Sequence, residues 1–431
     1  MSELLSLLVQ QPRIQAGELA RRLAVSQPTL SRLIAKAGAL VCRMGKGRAT
    51  RYAHTRSIPG LGNKVPVHGV DEAGHIHRHG ELHLLANGQH WFEHTDGTGE
   101  YFEGLPPFVA EMGPQGYLGQ DFSRRHPDLE LPSRPLDWSA DQLLLALARR
   151  GEDCTGQLIL GGESLSRWLA SAPLPVDPER YSELARSSLA VSTGSAVGGT
   201  QPKFTAFVDG RHVLVKFADT DRGGAASRWR DLLICEHLAL ETLRAAGHAV
   251  SRSRWMDVGG RRFLEVERCD RVGDRGRRPL LSLRALTHAY VGPGRDWTEA
   301  ARQLVAAQRL SDADARAVRW LDIFGQLIGN TDRHPGNLSF HVESPGRFRL
   351  APAYDMLPMV FAPVGASLVK RDFEPQPPSA ATLDVWADAG RHALAYWTRL
   401  TRTPDLSAGF RERCARSRDA VEFLLARVPV R

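Results

Sequence analysis

Two aspartates and an asparagine near the carboxyl end of the chain have the types and the spacing that phosphoryl transfer requires. In IGNTDRHPGN, Asp332 precedes Asn337 by five residues, and Asp355 follows in LAPAYDM. In the protein-kinase pattern, the first aspartate accepts the proton of the attacking hydroxyl, and the other two residues bind Mg²⁺ beside the phosphates. We therefore predict a catalytic base at Asp332 and metal ligands at Asn337 and Asp355. The alternative is a surface turn, where Asn, Asp, Gly and Pro also cluster.

The segments on both sides of these residues favour the catalytic interpretation. The preceding run AVRWLDIFGQLI has the apolar period of a helix, and the following runs NLSFHV and RFRLAPAYDM have the pattern of short strands. The D-x4-N spacing is weak evidence by itself, and this setting strengthens it.

A glycine-rich stretch and a lysine farther upstream have the features of a phosphate-binding site. Residues 192–204 read STGSAVGGTQPKF and precede two predicted strands, TAFVDG and HVLVKF, the second of which carries Lys216. Backbone N–H groups at Gly198 and Gly199 could contact phosphates, and the lysine could neutralise the same oxygens. The alternative is a hairpin approach or a linker. The position of the stretch ahead of the acidic motif favours the nucleotide site.

Two further segments belong to the same prediction. DLLICEHLALETLRAAGH is amphipathic and predicts a helix carrying Glu236, which either pairs with Lys216 or faces water. FLEVERCDR predicts a strand that runs into a polar segment, where an adenine could hydrogen-bond to the backbone near Glu267 and Cys269. We therefore expect a nucleotide site built from several separate parts of the chain.

The positive charge of the chain is confined to its amino-terminal segment. The 431 residues have a formal net charge of +8, and residues 1–56 contain ten Lys or Arg against two Glu. The remainder is therefore neutral. A basic patch on one small domain is the footprint expected for polyanion binding.

The same segment has the pattern of a winged helix-turn-helix. Apolar spacing predicts three short helices, and VSQP between the last two has the length of the turn, with Ser26 able to cap the third helix. ALVCRMGKGRATRYAH then predicts a basic hairpin, the wing. We expect double-stranded DNA to bind here, with a solvated basic surface as the alternative. The predicted contacts are Gln27, Thr29 and Arg32 with base edges, and Arg43, Lys46, Arg48 and Arg51 with phosphates.

Composition and length favour a soluble, cytoplasmic protein of several domains. The chain is long enough for two or three domains, has no run of eighteen apolar residues, and begins without a signal-like segment. Its five cysteines are far apart and form no C-x-x-C pair, which argues against a disulfide framework or a thiolate zinc site. We expect reduced thiols.

Short strand patterns predominate between the basic segment and the glycine-rich stretch. HIHR, ELHLLANGQHWFEH and EYFEG predict strands, with Asn87 and Gly88 as a two-residue hairpin turn. DWSADQLLLALARRGED predicts a helix with a capping box of Ser139 and Gln142. The predicted division is a winged helix-turn-helix (1–56), a linker (57–65), a small β-rich subdomain (66–150), a kinase N-lobe-like part with the glycine-rich loop (151–272) and a helical C-lobe with the catalytic and metal-binding loops (273–431).

Five motifs in order resemble those of a known family. SAVGGTQPKF, VLVKF, LEVERCDR, GNTDRHPGN and LAPAYDM are similar to motifs of the HipA-like serine/threonine kinases, the toxin component of bacterial toxin-antitoxin modules. GYLGQDFSRR and GEDCTGQL also look like the amino-terminal subdomain of that family. The resemblance runs from about residue 60 to the end. With a fused winged helix-turn-helix, the chain looks like the YjjJ-type branch.

The resemblance implies a role for each candidate residue. Lys216 would contact the phosphates of ATP, Glu267 and Cys269 would line the adenine edge, and Asp332 would act as the base beside the Mg²⁺ ligands Asn337 and Asp355. It also implies self-inactivation by phosphorylation of a serine in the glycine-rich loop. The register of GGTQPK puts Ala196 at the expected position, which leaves Ser195 as the candidate.

The predicted fold is an α+β multidomain protein with a winged helix-turn-helix, a small β-rich subdomain and a two-lobed core whose C-terminal lobe is mostly helical. The predicted function is Mg²⁺- and ATP-dependent phosphorylation of a protein Ser or Thr, with DNA binding for autoregulation or restraint of the kinase in cis. By family analogy, the substrate would be an aminoacyl-tRNA synthetase or a translation factor, and paired half-sites would suit a homodimer. Two alternatives remain, namely a transcription regulator with an inert nucleotide-sensing core and a small-molecule kinase.

Overall fold

The computed structural model describes residues 2–190, 201–218 and 223–428. Gly198, Gly199 and Ser195, three of the predicted site residues, lie outside these ranges. The chain forms two compact units. The first contains the residues up to Pro114 together with His126–Ala172, and the second contains Gln115–Arg125 and the residues from Pro173 onward.

The amino-terminal segment of the first unit consists of three helices and a three-stranded antiparallel sheet in the order β1-β3-β2. The predicted helices and the predicted basic hairpin are both confirmed as elements. As predicted, Ser26 caps the third helix, because its hydroxyl accepts a hydrogen bond from the Thr29 N–H at 3.4 Å. The elements are α1 (Ser2–Gln10), β1 (Ile14–Gln15), α2 (Ala16–Arg22), α3 (Gln27–Ala37), β2 (Val41–Met44) and β3 (Arg51–His54).

The hairpin of this segment shares an apolar cluster with the sheet that follows it. Cys42, Met44 and Ala53 are buried in one cluster with Leu85 and Trp91. Removing the first 56 residues would therefore expose apolar surface of the remaining part. Residues 57–65, predicted to be a linker, are also packed in part. Ile58 is buried in the apolar cluster of the five-stranded sheet that follows.

The rest of the first unit is a five-stranded antiparallel sheet in the order β7-β6-β5-β4-β8, with helices packed on it. Its strands are β4 (Lys64–Val70), β5 (Ile76–Leu84), β6 (His90–His94), β7 (Gly99–Phe102) and β8 (Leu158–Leu160). The first strand thus begins inside the predicted linker, and the last lies beyond residue 150. The helices are α4 (Pro107–Met112), α6 (Ala140–Arg150) and α7 (Gly162–Ala170), while α5 (Gly116–Arg125) belongs to the second unit.

Two local predictions for this sheet have different outcomes. The capping box of Ser139 and Gln142 at the start of α6 is confirmed. The predicted turn at Asn87 and Gly88 is confirmed, since both residues have positive φ (58° and 71°) and the Gln89 N–H donates to the Ala86 carbonyl at 3.3 Å. Its predicted two-residue loop length is wrong, because strand pairing ends at Leu84 and His90. Positive φ at both central residues is typical of a type I′ turn, and the longer loop follows from the strand register.

The second unit begins with a helix and a four-stranded antiparallel sheet in the order β11-β12-β10-β9. Its elements are α8 (Tyr181–Ala190), β9 (Lys203–Val208), β10 (Arg211–Ala218), α9 (Gly224–Ala245), β11 (Ser253–Val258) and β12 (Arg261–Glu267). Tyr181, Phe204, Phe217 and Phe263 fill the cluster on one face of this sheet. Helix α9 packs against β10, β11 and β12, so one long helix is fixed to the strand that carries Lys216.

The remainder of the second unit is mostly helical, as predicted. It contains short strands and five helices, namely β13 (Arg271–Val272), β14 (Gly276–Arg277), β15 (Leu280–Ser282), α10 (Leu283–Tyr290), α11 (Trp297–Ala306), α12 (Asp312–Leu327), β16 (Ser339–Ser344), β17 (Arg347–Leu350), α13 (Leu383–Thr401) and α14 (Ala408–Arg427). The strands β15, β16 and β17 form an antiparallel sheet. Large buried aromatic residues, among them Trp297, Phe324, Trp386 and Trp397, anchor α11, α12 and α13 in one core. Among the described residues, no helix combines the length and apolar character needed to cross a membrane.

Candidate active site

Lys216 of β10 lies at the centre of a buried charge network. Its Nζ donates to both carboxylate oxygens of Glu236, at 2.7 and 2.8 Å, and to Oδ1 of Asp355 at 2.5 Å. The predicted pairing of Lys216 with Glu236 is therefore confirmed. Lys216 and Glu236 are almost fully buried, so each charge depends on the other for its stability.

The charges in this network alter one another's proton affinity. Burial would raise the pKa of Asp355, but Lys216 and then Lys203 outweigh it and hold that pKa at about 2. Burial likewise opposes the charge of Lys216, and the two carboxylates outweigh it and raise the lysine pKa above its ordinary value. Burial raises the pKa of Glu236 against the pull of Lys216. Because Nζ donates to both Glu236 oxygens, we assign Glu236 as ionised, like Asp355.

The loop after α12 brings Asp332 next to this network. The helix ends at Leu327, and Gly329 then takes φ 73°, which turns the chain. Asn330 is buried and links the two acidic motifs, since its Oδ1 accepts from the Asp332 N–H at 3.0 Å and its Nδ2 donates to the Asp355 carbonyl at 3.5 Å. One buried amide thus fixes the spacing between the two aspartates.

Asn337 closes the same loop. Its Nδ2 donates to the Asp332 carbonyl at 2.9 Å and lies 3.4 Å from Oδ2 of the Asp332 carboxylate. The turn Pro335–Asn337 places it there, and His334 caps that turn by accepting from the Gly336 N–H. The structure therefore brings Asp332, Asn337 and Asp355 together, as their predicted roles require. The amide oxygen of Asn337 is the atom left for another ligand.

Residues that the sequence did not single out hold this loop in place. Arg333 donates through Nε to Oδ1 of the buried Asp322 at 2.9 Å, and Oδ2 of the same carboxylate accepts from the Thr298 hydroxyl at 2.9 Å. Trp297 donates its indole N–H to the His334 carbonyl at 3.2 Å. These contacts tie the loop to α11 and α12, so the rigid helices position the acidic side chains.

Asp332 has the electrostatic environment of a base. Burial raises the pKa of its carboxyl, and the nearby Asp355 charge raises it further, while His334 and the Asn337 hydrogen bond act in the opposite direction. A raised carboxyl pKa makes the ionised group a stronger proton acceptor.

Lys203 is a second lysine at the site, and it was not predicted from the sequence. It lies directly opposite Lys216 in the β9–β10 hairpin. Burial and the Lys216 charge lower its pKa, and Asp355, Glu236 and Asp332 act in the opposite direction. The dipeptide Asp209-Gly210 could have predicted this position. It forms a two-residue hairpin turn with both φ angles positive, and this turn fixes the register that pairs Lys203 with Lys216.

Glu267 and Cys269 lie where β12 ends. Strand pairing places Glu267 opposite Val213 on β10, three residues before Lys216, and its N–H donates to the Arg252 carbonyl at 2.8 Å. Burial raises the pKa of the Cys269 thiol to about 12, so the thiol is neutral at physiological pH.

Comparison with known proteins identifies the family of the chain. The family model described as the HipA-like C-terminal domain matches residues 195–421, and that described as the YjjJ-like toxin, middle domain, matches residues 61–169. The chain is also 36% identical over 425 residues to Toxin YjjJ of Escherichia coli (strain K12), covering 95% of each chain. The chain belongs to the HipA-like toxin family, in its YjjJ-like branch. The resemblance stated from the motifs is thereby confirmed for the family and the branch, whereas the winged helix-turn-helix of residues 1–56 stays a prediction.

Two solved structures are more distantly similar to this chain. A chain of the Shewanella oneidensis MR-1 complex of HipA, HipB and operator DNA is 17% identical, with a TM-score of 0.53, covering 84% of this chain and 97% of that one. The Helicobacter pylori proinflammatory kinase CtkA is 15% identical with a TM-score of 0.36, covering 51% and 90%. The first likeness confirms an α+β fold of the HipA type.

The three residues of this chain that are predicted to contact base edges lie on α3, and they differ in how exposed they are to solvent. Gln27 and Arg32 are exposed, whereas Thr29 is half-buried. The Thr29 hydroxyl lies 3.0 Å from the Ser26 hydroxyl and accepts from Arg32 at 3.4 Å. Thr29 therefore supports the cap and the position of Arg32.

The residues predicted to contact phosphates also differ in how free their side chains are to bind a ligand. Arg43 is exposed, but Lys46 donates to the Asp96 carbonyl at 2.8 Å and Arg51 donates to the Arg13 carbonyl at 2.9 Å. Two of the predicted contacts thus already hydrogen-bond within the first unit. The side chain of Arg48 lies outside the described part of the structure.

Proposed function

We propose that the toxin is a Mg²⁺- and ATP-dependent serine/threonine protein kinase. The observation that carries this proposal is the continuous chain of contacts from Glu236 through Lys216, Asp355 and Asn330 to Asp332. These contacts bring together the ammonium group of Lys216, the carboxylate of Asp355 with its lowered pKa and the carboxylate of Asp332 with its raised pKa. Phosphoryl transfer needs these three kinds of group, since its catalysis is mainly positioning and charge stabilisation.

Each side chain has a defined task in this proposal. Asp332 accepts the proton of the substrate hydroxyl, and its raised pKa suits that role. Lys216 moves its hydrogen bonding from Asp355 toward the phosphate oxygens while Glu236 holds its Nζ in position. Lys203 lies directly opposite Lys216 and in its protonated form would add a second positive charge there.

The donor set fits Mg²⁺. The carboxylate of Asp355 and the amide oxygen of Asn337 are hard oxygen ligands of the kind that Mg²⁺ prefers, and the Asn337 Nδ2 is already directed to Asp332. The described residues form no cluster of three His, Cys, Asp or Glu side chains placed to hold a metal. The ion would therefore need phosphate oxygens and water to complete its coordination, and it would neutralise charge that develops on the phosphates.

The nucleotide would lie between the strands and the acidic loop. We place the adenine edge at Glu267 and Cys269, because both lie at the end of β12, the strand that pairs with β10. Gly198 and Gly199 lie outside the described residues and stay the predicted phosphate contacts. Ser195 in that loop stays the candidate for autophosphorylation.

We further propose that residues 1–56 form a winged helix-turn-helix that binds duplex DNA. Gln27 and Arg32 would read base edges, and Arg43 would contact phosphate, since all three are exposed. Lys46 and Arg51 would contribute only after releasing their carbonyl partners. The HipA of Shewanella oneidensis MR-1 forms a complex with HipB and operator DNA. Here DNA binding would serve autoregulation or restraint of the kinase, and a homodimer would suit paired half-sites.

One experiment tests the kinase proposal. Purified protein is incubated with γ-labelled ATP, Mg²⁺ and either cell-extract protein or a metabolite pool, comparing the wild type with Asp332→Asn and Asp355→Asn. Asp312→Asn is the matched control, since it makes the same charge change at an exposed position of α12. We expect label on a Ser or Thr of an extract protein for the wild type and the control alone. Label on metabolites would indicate a small-molecule kinase, and nucleotide binding without transfer would indicate an inert sensor.

A further inference from the structure

A cleft of about 770 Å³ lies between α9, β11 and α13 in the second unit. Its walls are apolar and include Ile234 and Leu238 of α9, Trp255 of β11 and Leu394 of α13. The volume lies within the range of about 300–1,000 Å³ typical of small-molecule sites. The candidate active-site residues do not line it, so it is separate from the proposed nucleotide site.

The rim of this cleft is basic. Arg399 and Arg402 line it from the end of α13, and both are exposed. Within the part of the chain that the structure describes, neither arginine has a carboxylate within ion-pair distance, whereas Arg391 nearby pairs with Asp388 at 2.7 Å. Asp405 is the acidic residue among the lining side chains. An apolar floor with two unpaired guanidinium groups favours a ligand that carries both an apolar ring and a negative charge.

The walls of the cleft are joined to the helix that holds Glu236. His237, the next residue of α9, lines the cleft and lies within hydrogen-bond distance of the Ser253 hydroxyl on β11, at 2.9 Å. The Tyr396 hydroxyl of α13 donates to the Cys235 carbonyl of α9 at 3.2 Å. A ligand in the cleft would therefore contact α9 together with β11 and α13, the two elements to which α9 is hydrogen-bonded.

We propose that this cleft is a binding site for a small amphipathic anion, such as an aromatic carboxylate, sulfonate or phosphate ester, and that its occupation stabilises α9. The guanidinium groups of Arg399 and Arg402 bind the anionic group, and Leu238, Leu394 and Trp255 cover the apolar part. Stabilisation of α9 is expected because the ligand contacts α9, β11 and α13 at once. The site does not depend on the phosphotransfer activity proposed above.

The test uses 1-anilinonaphthalene-8-sulfonate as the probe, titrated into the full chain and followed by fluorescence. We expect saturable binding that is weakened about tenfold or more by the double change Arg399→Ala and Arg402→Ala, since a charge-assisted hydrogen bond contributes about 1.5–3 kcal/mol. Ala395→Trp, at an exposed lining position of α13, should abolish binding by filling the cleft. N-phenyl-1-naphthylamine, which lacks the sulfonate, should bind about tenfold more weakly than the sulfonate probe.

The matched control removes two other exposed arginines of the same unit. Arg295 and Arg302 flank Glu299 on α11 and are 88% and 70% exposed in their side chains. The double change Arg295→Ala and Arg302→Ala should leave probe affinity within about twofold of the wild type, since surface changes of this kind act weakly. Hydrogen exchange should slow in residues 224–245 when the probe binds.

Equal probe affinity in the two double variants would overturn the site. Absence of saturable binding to the wild type would overturn it as well. Probe binding that leaves exchange in α9 unchanged would refute the stabilisation of that helix.

Discussion

The charged residues of the core and those of the amino-terminal segment differ in their surroundings. In the core, Lys216 is 4% exposed and is hydrogen-bonded to two carboxylates. In the amino-terminal segment, Arg32, Lys36 and Arg43 are exposed. A buried charge needs its partners, so the core residues fix one another, whereas exposed basic residues depend only on the backbone that carries them. Core substitutions should therefore act strongly and together, and amino-terminal substitutions weakly and separately.

The largest expected difference concerns two lysines. Lys216→Met leaves Glu236 buried without its partner, so we expect the free energy of unfolding to fall by about 3–5 kcal/mol. Lys36→Met, on the exposed face near the end of α3, should change it by less than about 0.5 kcal/mol. Urea denaturation followed by fluorescence and circular dichroism measures both. Similar losses from the two changes would remove the distinction between the regions.

Acid should weaken the core network in a defined pH range. The pKa of Asp355 is lowered to about 2, so its contribution is present above its ordinary value of 3.8 and is lost as the pH falls through 2. We expect Asp355→Asn to cost about 2 kcal/mol more at pH 6 than at pH 2. The measurement is the difference in unfolding free energy between wild type and variant across that range. A difference independent of pH would show that Lys216 does not lower this pKa.

Substitutions in the amino-terminal segment should act independently on DNA affinity. Arg32→Ala should weaken binding to a preferred duplex by about 1–3 kcal/mol and reduce sequence preference. Arg43→Ala should weaken all duplexes alike and lower the salt slope by about 1. Lys46→Ala should have a smaller effect, since its ammonium already donates to the Asp96 carbonyl.

Fluorescence anisotropy at several salt concentrations measures these effects in the full chain. Point changes are preferable to removal of residues 1–56, because that removal would expose Leu85 and Trp91. Arg295→Ala, on exposed surface of the core, is the control. If the control weakens DNA binding as much as the three amino-terminal changes do, the assignment of DNA contacts to α3 and the hairpin is wrong.

The cap of α3 should contribute a smaller amount. Ser26→Ala removes the acceptor for the Thr29 N–H, so we expect a loss of about 1 kcal/mol in stability of the amino-terminal segment. Ser31→Ala, at an exposed position on the same helix, is the control and should have little effect. Hydrogen exchange of residues 27–37 measures the change. Equal exchange in both variants would indicate that the cap does not hold this helix.

The smallest effect is a shift of the pH profile. His334 lowers the pKa of Asp332, so His334→Gln should raise that pKa further above its ordinary value. Because Asp332 must be ionised to accept a proton, the acidic limb of the rate profile should move to higher pH. The measurement is kcat/KM against pH with the phosphorylated substrate. An unmoved acidic limb would assign it to another group.

The sequence predicts the helices, the strands and the acidic motif because each of these is local. The helical spacing of apolar residues predicted the helices, and the D-x4-N spacing predicted the roles of Asp332 and Asn337. The contacts of Asn330 and Lys203 depend on long-range pairing, which spacing does not show. Asn87 and Gly88 form the turn that their dipeptide indicates, but the loop around them is longer than two residues because strand pairing, which is not local, ends at Leu84 and His90.

The most direct test of the active site is the Mg²⁺ dependence of ATP binding, measured by isothermal titration calorimetry. Wild type, Asp355→Asn and the exposed control Asp312→Asn are each titrated with ATP, with and without Mg²⁺. We expect Mg²⁺ to tighten ATP binding for the wild type and the control, and to have little effect on Asp355→Asn. The same Mg²⁺ dependence in all three proteins, or no ATP binding by the wild type, would contradict a phosphotransfer site at Asp332, Asn337 and Asp355.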